Sequence, residues 1–131
     1  MKIIKNLLEL QSNLKKMENI SLIPTMGNLH EGHISLIEEA KKLSKNIILT
    51  IFINPAQFDS KEDLDSYPRT LKQDINLLKD SGVSILFNPS IQDIYPEKPS
   101  LSYNMPSISN ELCGKSRKDH FKGVIIILDK L

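Results

Sequence analysis

The stretch Pro24-Thr25-Met26-Gly27-Asn28-Leu29-His30-Glu31-Gly32-His33 decides how this chain is read. Before it lies a short apolar run, Ile20-Ser21-Leu22-Ile23, which the pattern predicts as a strand ending at Pro24. After it, Ile34, Leu36, Ile37, Ala40 and Leu43 give an apolar face to a helix expected from about Gly32 to Lys45. Two of the three histidines and two of the five glycines fall in this one turn. Glycine permits positive φ and close backbone approach where a side chain would block a phosphate. A helix N-terminus offers unpaired N–H groups to an anion. Imidazoles at His30 and His33 add hydrogen-bond donors, which count most where charge grows in a transition state. The plainer alternative is a glycine-containing connection with surface histidines, which Asn28 and Glu31 also suit. The strand before and the helix after favour the functional reading.

Working outward, Ile47 to Ile53 is apolar nearly throughout, the pattern of a strand covered on both faces in a parallel sheet. Asn54-Pro55-Ala56-Gln57-Phe58 breaks it, and a charged loop follows to Pro68. Leu71, Ile75 and Leu78 mark a helix with Gly82 as its C-terminal cap. Val83 to Phe87 is a third strand, closed by Asn88-Pro89. Upstream, Leu7, Leu10, Leu14 and Met17 predict a helix over about 5–17. The order β-α-β-α-β implies an α/β fold, with right-handed crossovers and a three-layer sandwich. Beyond Ser90 the pattern is less regular. Pro89, Pro96, Pro99 and Pro106 suggest a surface excursion, and Ile108 to Leu112 one helical turn. Lys115 to Gly123 reads as a basic loop, and Val124 to Leu131 as strand or helix.

The 131 residues predict one domain, and a formal charge of +1 gives no general pull toward nucleic acid or a membrane surface. No apolar run approaches the roughly 20 residues of a spanning helix, and Met1 to Asn6 has no signal-peptide pattern. Cys113 has no partner for an internal disulfide, which fits a reducing cytoplasm. With no base evident beside it, Cys113 reads as a buried apolar residue rather than a nucleophile. Glu62, Asp63 and Asp65 read as a solvated loop without the spacing of a dedicated metal site.

Open α/β sheets bind ligands beyond the carboxyl ends of their strands. Both the histidine turn and the Asn54-to-Phe58 turn lie at such ends, and are expected to face one crevice. Gln57 is either a solvated turn residue or an amide that hydrogen-bonds a substrate hydroxyl or carboxylate. Asn54 is expected to cap its own turn. Lys115, Arg117, Lys118 and Lys122, with His120, are either a solvated charge run or a flap that neutralises phosphates.

The histidine turn, Phe52-Ile53-Asn54-Pro55-Ala56-Gln57-Phe58, Tyr67-Pro68-Arg69-Thr70, Leu86-Phe87-Asn88-Pro89 and Ile94-Tyr95-Pro96 follow one another in this chain. Leu112-Cys113-Gly114-Lys115-Ser116-Arg117 and His120-Phe121-Lys122-Gly123 continue the series. In that order they resemble the pantoate–β-alanine ligase (pantothenate synthetase) family, over essentially the whole chain. The resemblance implies a Rossmann-like sheet of the His-x-Gly-His nucleotidyltransferase type. It implies a cytoplasmic enzyme, commonly a homodimer, that adenylates pantoate with ATP and Mg²⁺ and passes the acyl group to β-alanine. No prosthetic group and no protein-held metal are implied. By the same resemblance Met26, Gly27, Asn28, Leu29, His30, Glu31, Gly32 and His33 line the ATP site. His30 and His33 meet the phosphates, with His33 as proton donor. Gln57 holds pantoate and, with Met26, borders the β-alanine position. Lys115, Arg117 and His120 belong to a loop near the phosphates.

Two departures stand out. Lys118-Asp119 occupies the place of the family's usual Pro-Gly, adding a negative charge and removing a glycine. The family is also about twice this long, so the chain looks like the N-terminal part of the nucleotide-binding domain. A Gly-Glu-Lys-Asp segment and a C-terminal lid domain with a Lys-Met-Ser-Ser-type segment are absent. Three readings follow: the ligase, with the fragment inactive or active by itself; another His-x-Gly-His nucleotidyltransferase; or a remnant that binds nucleotide or pantoate without turnover.

Overall fold

The computed structural model describes residues 1–100 and 104–131; residues 101–103, inside the proline-rich stretch, lie outside the described residues. The chain divides into two compact units. The first comprises Met1–Phe52 and Pro68–Asp93, and the second Ile53–Tyr67 and Ile94–Leu131.

The first unit is built on a four-stranded parallel sheet. Its strands are β1 (Lys2–Ile4), β2 (Ile20–Thr25), β3 (Asn46–Ile51) and β4 (Ile85–Phe87), in spatial order β1-β4-β3-β2. β3 is buried from Ile47 to Ile51 and β4 along its whole length, as apolar runs covered on both faces require. The three strands expected from apolar runs are present with shifted ends. β1 is the addition. Three residues carry no periodicity, so pairing decides it: Lys2 aligns with Ile85 and Ile4 with Phe87, and Ile4 is fully buried. β2 does not stop at Pro24 but runs through it to Thr25. As an edge strand it tolerates proline, because the missing N–H need not face a partner.

Three helices accompany the sheet. α1 (Leu7–Leu14) is shorter than expected; Asn6 caps it by accepting from the Glu9 N–H at 2.9 Å. α2 (Glu31–Leu43) carries Glu31 in its first turn and Lys41 and Lys42 in its last, complementing the helix dipole. Between β3 and β4 lie α3 (Lys61–Ser66), which belongs to the second unit, and α4 (Leu71–Leu78). α2 and α4 cover the same sheet face. Ile37, Ala40 and Leu78 form one cluster with Ile23, Ile47, Leu49, Ile51 and Leu86, and Leu29, Ile34, Leu71 and Ile75 pack at its border. Leu29 thus anchors the histidine turn to the core. Gly82 has φ +92 but lies beyond the end of α4, whose cap is Lys79; it is a turn glycine rather than the helix cap.

The second unit is helical and corrects two expectations. The charged loop before Pro68 contains α3, started by Ser60, whose hydroxyl accepts from the Asp63 N–H at 3.1 Å. Glu62 and Asp63 stand favourably in its first turn. The basic loop is largely α6 (Cys113–Ser116) and the start of α7 (His120–Lys130), and the ambiguous Val124-to-Leu131 run is helix. A short α5 (Ile91–Ile94) and 3-10 turns at Pro55–Gln57 and Ser107–Asn110 complete the described elements. Cys113 is exposed, not buried. No helix of the described residues is long and apolar enough to cross a membrane.

Leu86 is fully buried in β4, one of the two inner strands, so Leu86→Ala should cost about 2–5 kcal/mol. Leu36, 55% exposed on α2, should change stability by less than about 0.5 kcal/mol when replaced by Ala. Denaturant midpoints at unchanged slope measure both.

Candidate functional site

The histidine turn begins where β2 ends and is shaped by two consecutive left-handed residues, Gly27 at φ +82 and Asn28 at φ +53. A side chain at position 27 would be strained there, and its Cβ would stand 3.1 Å from both Asp74 Oδ2 and Ile51 Cγ2. The bend points the N–H groups of Asn28 and Leu29 inward. They donate to Asp74 Oδ2 at 3.1 Å and Oδ1 at 2.8 Å, and the Thr70 hydroxyl donates to Oδ2 at 3.1 Å. Asp74 is only 3% exposed, and its helical position gave no sequence signal of this role. Met26 is half-buried at the entrance to the turn.

His30 and His33 start α2 by capping each other. His30 Nδ1 accepts from the Gly32 N–H at 3.1 Å, and His33 Nδ1 accepts from the His30 N–H at 3.3 Å. Their rings meet edge to face with centroids 4.2 Å apart. Gly32 is not at positive φ; its missing Cβ instead makes room for the His30 ring, whose Cε1 would stand 2.9 Å from one. A backbone donor on each Nδ1 leaves the proton of the neutral ring on Nε2. Neither Nε2 has a hydrogen-bond partner among the described residues. Burial, followed by the field of His30, pulls the His33 imidazole below its ordinary value of 6.5, with Asp74 opposing. At neutral pH His33 is therefore an uncharged donor.

This arrangement occupies most of the N–H groups at the start of α2. The N–H groups of Asn28, Leu29, His30 and Gly32 are bonded to side chains, and that of His33 to the His30 carbonyl at 2.9 Å. Most of the backbone at the helix start is spent on folding; the Glu31 N–H and the two Nε2–H groups have no acceptor among the described residues. Glu31, at the first helical position, is exposed.

In the second unit, Asn54 organises the turn after β3. It is 1% exposed and makes four hydrogen bonds. Oδ1 accepts from the Ala56 N–H at 3.2 Å and the Tyr95 hydroxyl at 2.8 Å; Nδ2 donates to Gln57 Oε1 at 2.9 Å and the Gly123 carbonyl at 3.0 Å. Asn54 caps its turn as expected, and does more. Burial pushes the Tyr95 hydroxyl up to about 12, so it remains a donor. Gln57 is buried rather than solvated. Its carbonyl is held by Asn54, and its Nε2 makes no hydrogen bond among the described residues.

Lys115 pairs with Glu111 at 3.1 Å on the surface, the Arg117 guanidinium lies 6.0 Å from the Phe58 ring centre, and His120 Nδ1 lies 3.4 Å from the Gln57 carbonyl. Asp119 sits at φ −96, an ordinary value, at the start of α7. No glycine is required there, and its charge suits a helix N-terminus. Thus His30 and His33 come together in one unit and Gln57 and His120 in the other.

A sequence profile described as pantoate-beta-alanine ligase matches residues 2–131. The chain belongs to the pantoate–β-alanine ligase family. It is 45% identical to the pantothenate synthetase of Neisseria meningitidis serogroup C over 132 residues, which cover 100% of this chain and 48% of that relative. It is 50% identical to that of Acinetobacter baumannii over 113 residues, which cover 86% of this chain and 40% of the relative. Its structure is similar to the Francisella tularensis pantoate-beta-alanine ligase complexed with beta-gamma ATP and beta-alanine. That likeness has a TM-score of 0.92 and 42% identity, and covers 99% of this chain and 51% of the other. The pantothenate synthetase of Thermus thermophilus gives 0.89 at 34% identity, over 98% and 47% of the two chains. The chain spans about half the length of the curated relatives it matches. In this chain the His-x-Gly-His turn was legible in sequence, whereas the roles of Asp74 and of the Asn54–Tyr95 hydrogen bond were not.

Two outcomes follow from this geometry. In an NMR pH titration the His33 ring should show a midpoint below 6.5. Because its folded value is lowered, the unfolded chain takes the proton first. His33 then contributes stability above 6.5 that is lost as pH falls through the folded value. A Cβ on Gly123 would fall 2.1 Å from the Ala56 carbonyl oxygen and 2.6 Å from the Gln57 nitrogen. Gly123→Ala should therefore displace α7 from the Gln57 turn and cost about 1–3 kcal/mol despite alanine's better helix propensity. Denaturant unfolding and the Asn54 and Gln57 side-chain amide shifts report it.

Proposed function

We propose that this chain carries the phosphate-handling turn and the pantoate-holding amide of an ATP-dependent pantoate–β-alanine ligase. In that reaction a pantoate carboxylate oxygen attacks the α-phosphorus of MgATP and pyrophosphate leaves. The β-alanine amine then attacks the acyl carbon of pantoyl adenylate, loses a proton and expels AMP. Both steps call for positioning and stabilisation of charge on phosphate, not for a protein nucleophile. The observation that carries the reading is the reciprocal histidine cap, which leaves two Nε2–H donors side by side at the end of β2.

In this reading Met26 to His33 line the ATP site. His30 and His33 donate to phosphate oxygens, and His33, neutral at pH 7, donates a hydrogen bond from Nε2–H to the departing pyrophosphate and keeps its proton. Gln57 uses its free Nε2–H₂ on a pantoate carboxylate or hydroxyl, with Met26 beside the β-alanine position. Lys115, Arg117 and His120 form the phosphate-side segment. Mg²⁺ arrives on the triphosphate as part of the nucleotide substrate. The same reading makes residues 1–131 the N-terminal part of the nucleotide-binding domain of a cytoplasmic homodimer.

The test is AMP release from MgATP by the purified chain, requiring both pantoate and β-alanine. His33→Asn is the sharpest control, because an amide oxygen can keep the cap while the Nε2–H is lost. Dependent turnover that falls about 10²–10³-fold in the variant supports the assignment. Binding of MgATP by a folded chain without turnover overturns ligase activity for these residues and identifies a binding fragment.

A further inference from the structure

We propose that Asp74 is the positioning residue of the histidine turn, setting the aim of His30 and His33 by holding the N–H groups of Asn28 and Leu29. The inference rests on the phosphate role given to the two histidines. Successive N–H groups turned to one side by left-handed residues make a concavity suited to an anion. Gly27 and Asn28 build such a concavity here, and its anion comes from the protein itself. Asp74, in the first turn of α4, places one carboxylate oxygen on each N–H, and Thr70 fixes the carboxylate through a third bond. With Asp74 almost wholly buried, the backbone nest is closed to a substrate phosphate.

The consequence for the histidines is direct. Leu29 is tied by its N–H to Asp74 and by its side chain to the core. His30 is the next residue, extended at φ −143 and ψ −179, so the direction of its ring follows from where Leu29 is held. His33 is then placed by its bond from the His30 N–H. A chain of bonded atoms runs from α4 through the nest to both Nε2–H donors. Asp74 touches no substrate in this scheme; it acts through the turn.

The experiment uses the full chain as wild type, Asp74→Asn and Thr70→Val. Three quantities are read: amide exchange at Asn28 and Leu29, ring ¹⁵N shifts of His30 and His33, and affinity for inorganic pyrophosphate. Asp74→Asn should lose protection of both amides by about tenfold or more. It should move both rings from a pure Nε2–H signature to a tautomer mixture, and weaken pyrophosphate binding by about tenfold. The His33 midpoint should fall further, because the raising influence of Asp74 is gone. Thr70→Val keeps the carboxylate and should shift the same signals in the same direction by less. If Asp74→Asn does not fold, Thr70→Val decides alone. A folded Asp74→Asn, or failing it Thr70→Val, with unchanged ring shifts or pyrophosphate affinity overturns the proposal. If wild type binds no pyrophosphate, the phosphate role fails, while the ring shifts still decide whether Asp74 aims the histidines.

Discussion

Asn28 and Leu29 present two backbone N–H groups to a space almost closed to water, and the Asp74 carboxylate receives both. Hydrogen bonds to a charged acceptor contribute about 1.5–3 kcal/mol each, and leaving such donors unmet costs a similar amount. The bend at Gly27 and Asn28, the bare Cα of Gly27 and the start of α2 all depend on that meeting. It joins the end of β2 to the first turn of α4, two places distant in sequence.

A comparable arrangement governs the second unit. Asn54 satisfies all four hydrogen-bonding positions of its amide with the backbone of Ala56 and Gly123, the side chain of Gln57 and the Tyr95 hydroxyl. Polar groups this deeply buried are tolerable only when every position is filled. The missing Cβ of Gly123 allows α7 to approach the Pro55–Gln57 turn closely enough for this, so packing and hydrogen bonding are satisfied together. In the pantoate–β-alanine ligase reading, Gln57 keeps one end of its amide for this network and one end for substrate.

What could be read from sequence follows from where the information lies. Ile47 to Ile51 announces a buried parallel strand because unbroken apolar character has few other uses. The spacing of Ile34, Ile37 and Ala40 announces α2 for the same reason. The His-x-Gly-His turn stood out as a candidate site because its residue types are unusual between a strand and a helix. β1 was invisible because three residues have no period, and its existence rests on pairing with β4. Asp74 was invisible because a buried carboxylate on a helix looks like an exposed one until its partners, forty-odd residues earlier, are brought alongside. Gly32, Gly114 and Gly123 each mark a close approach whose partner only the fold reveals: an imidazole ring, the Ser109 carbonyl and the Ala56 carbonyl.

The mutual cap of His30 and His33 makes the same ring atoms answer to two demands. Each Nδ1 starts the helix, and each Nε2 is without a partner among the described residues. Loss of a helix cap costs about 0.5–2 kcal/mol on its own. In the ligase reading, a substitution at either position is therefore penalised twice, once in the population of folded chain and once in what the folded chain would bind. Positions 30 and 33 consequently behave as one heritable unit. A neutral path that changes one must pass through a chain whose helix start is already weakened, so the pair is expected to drift together or not at all.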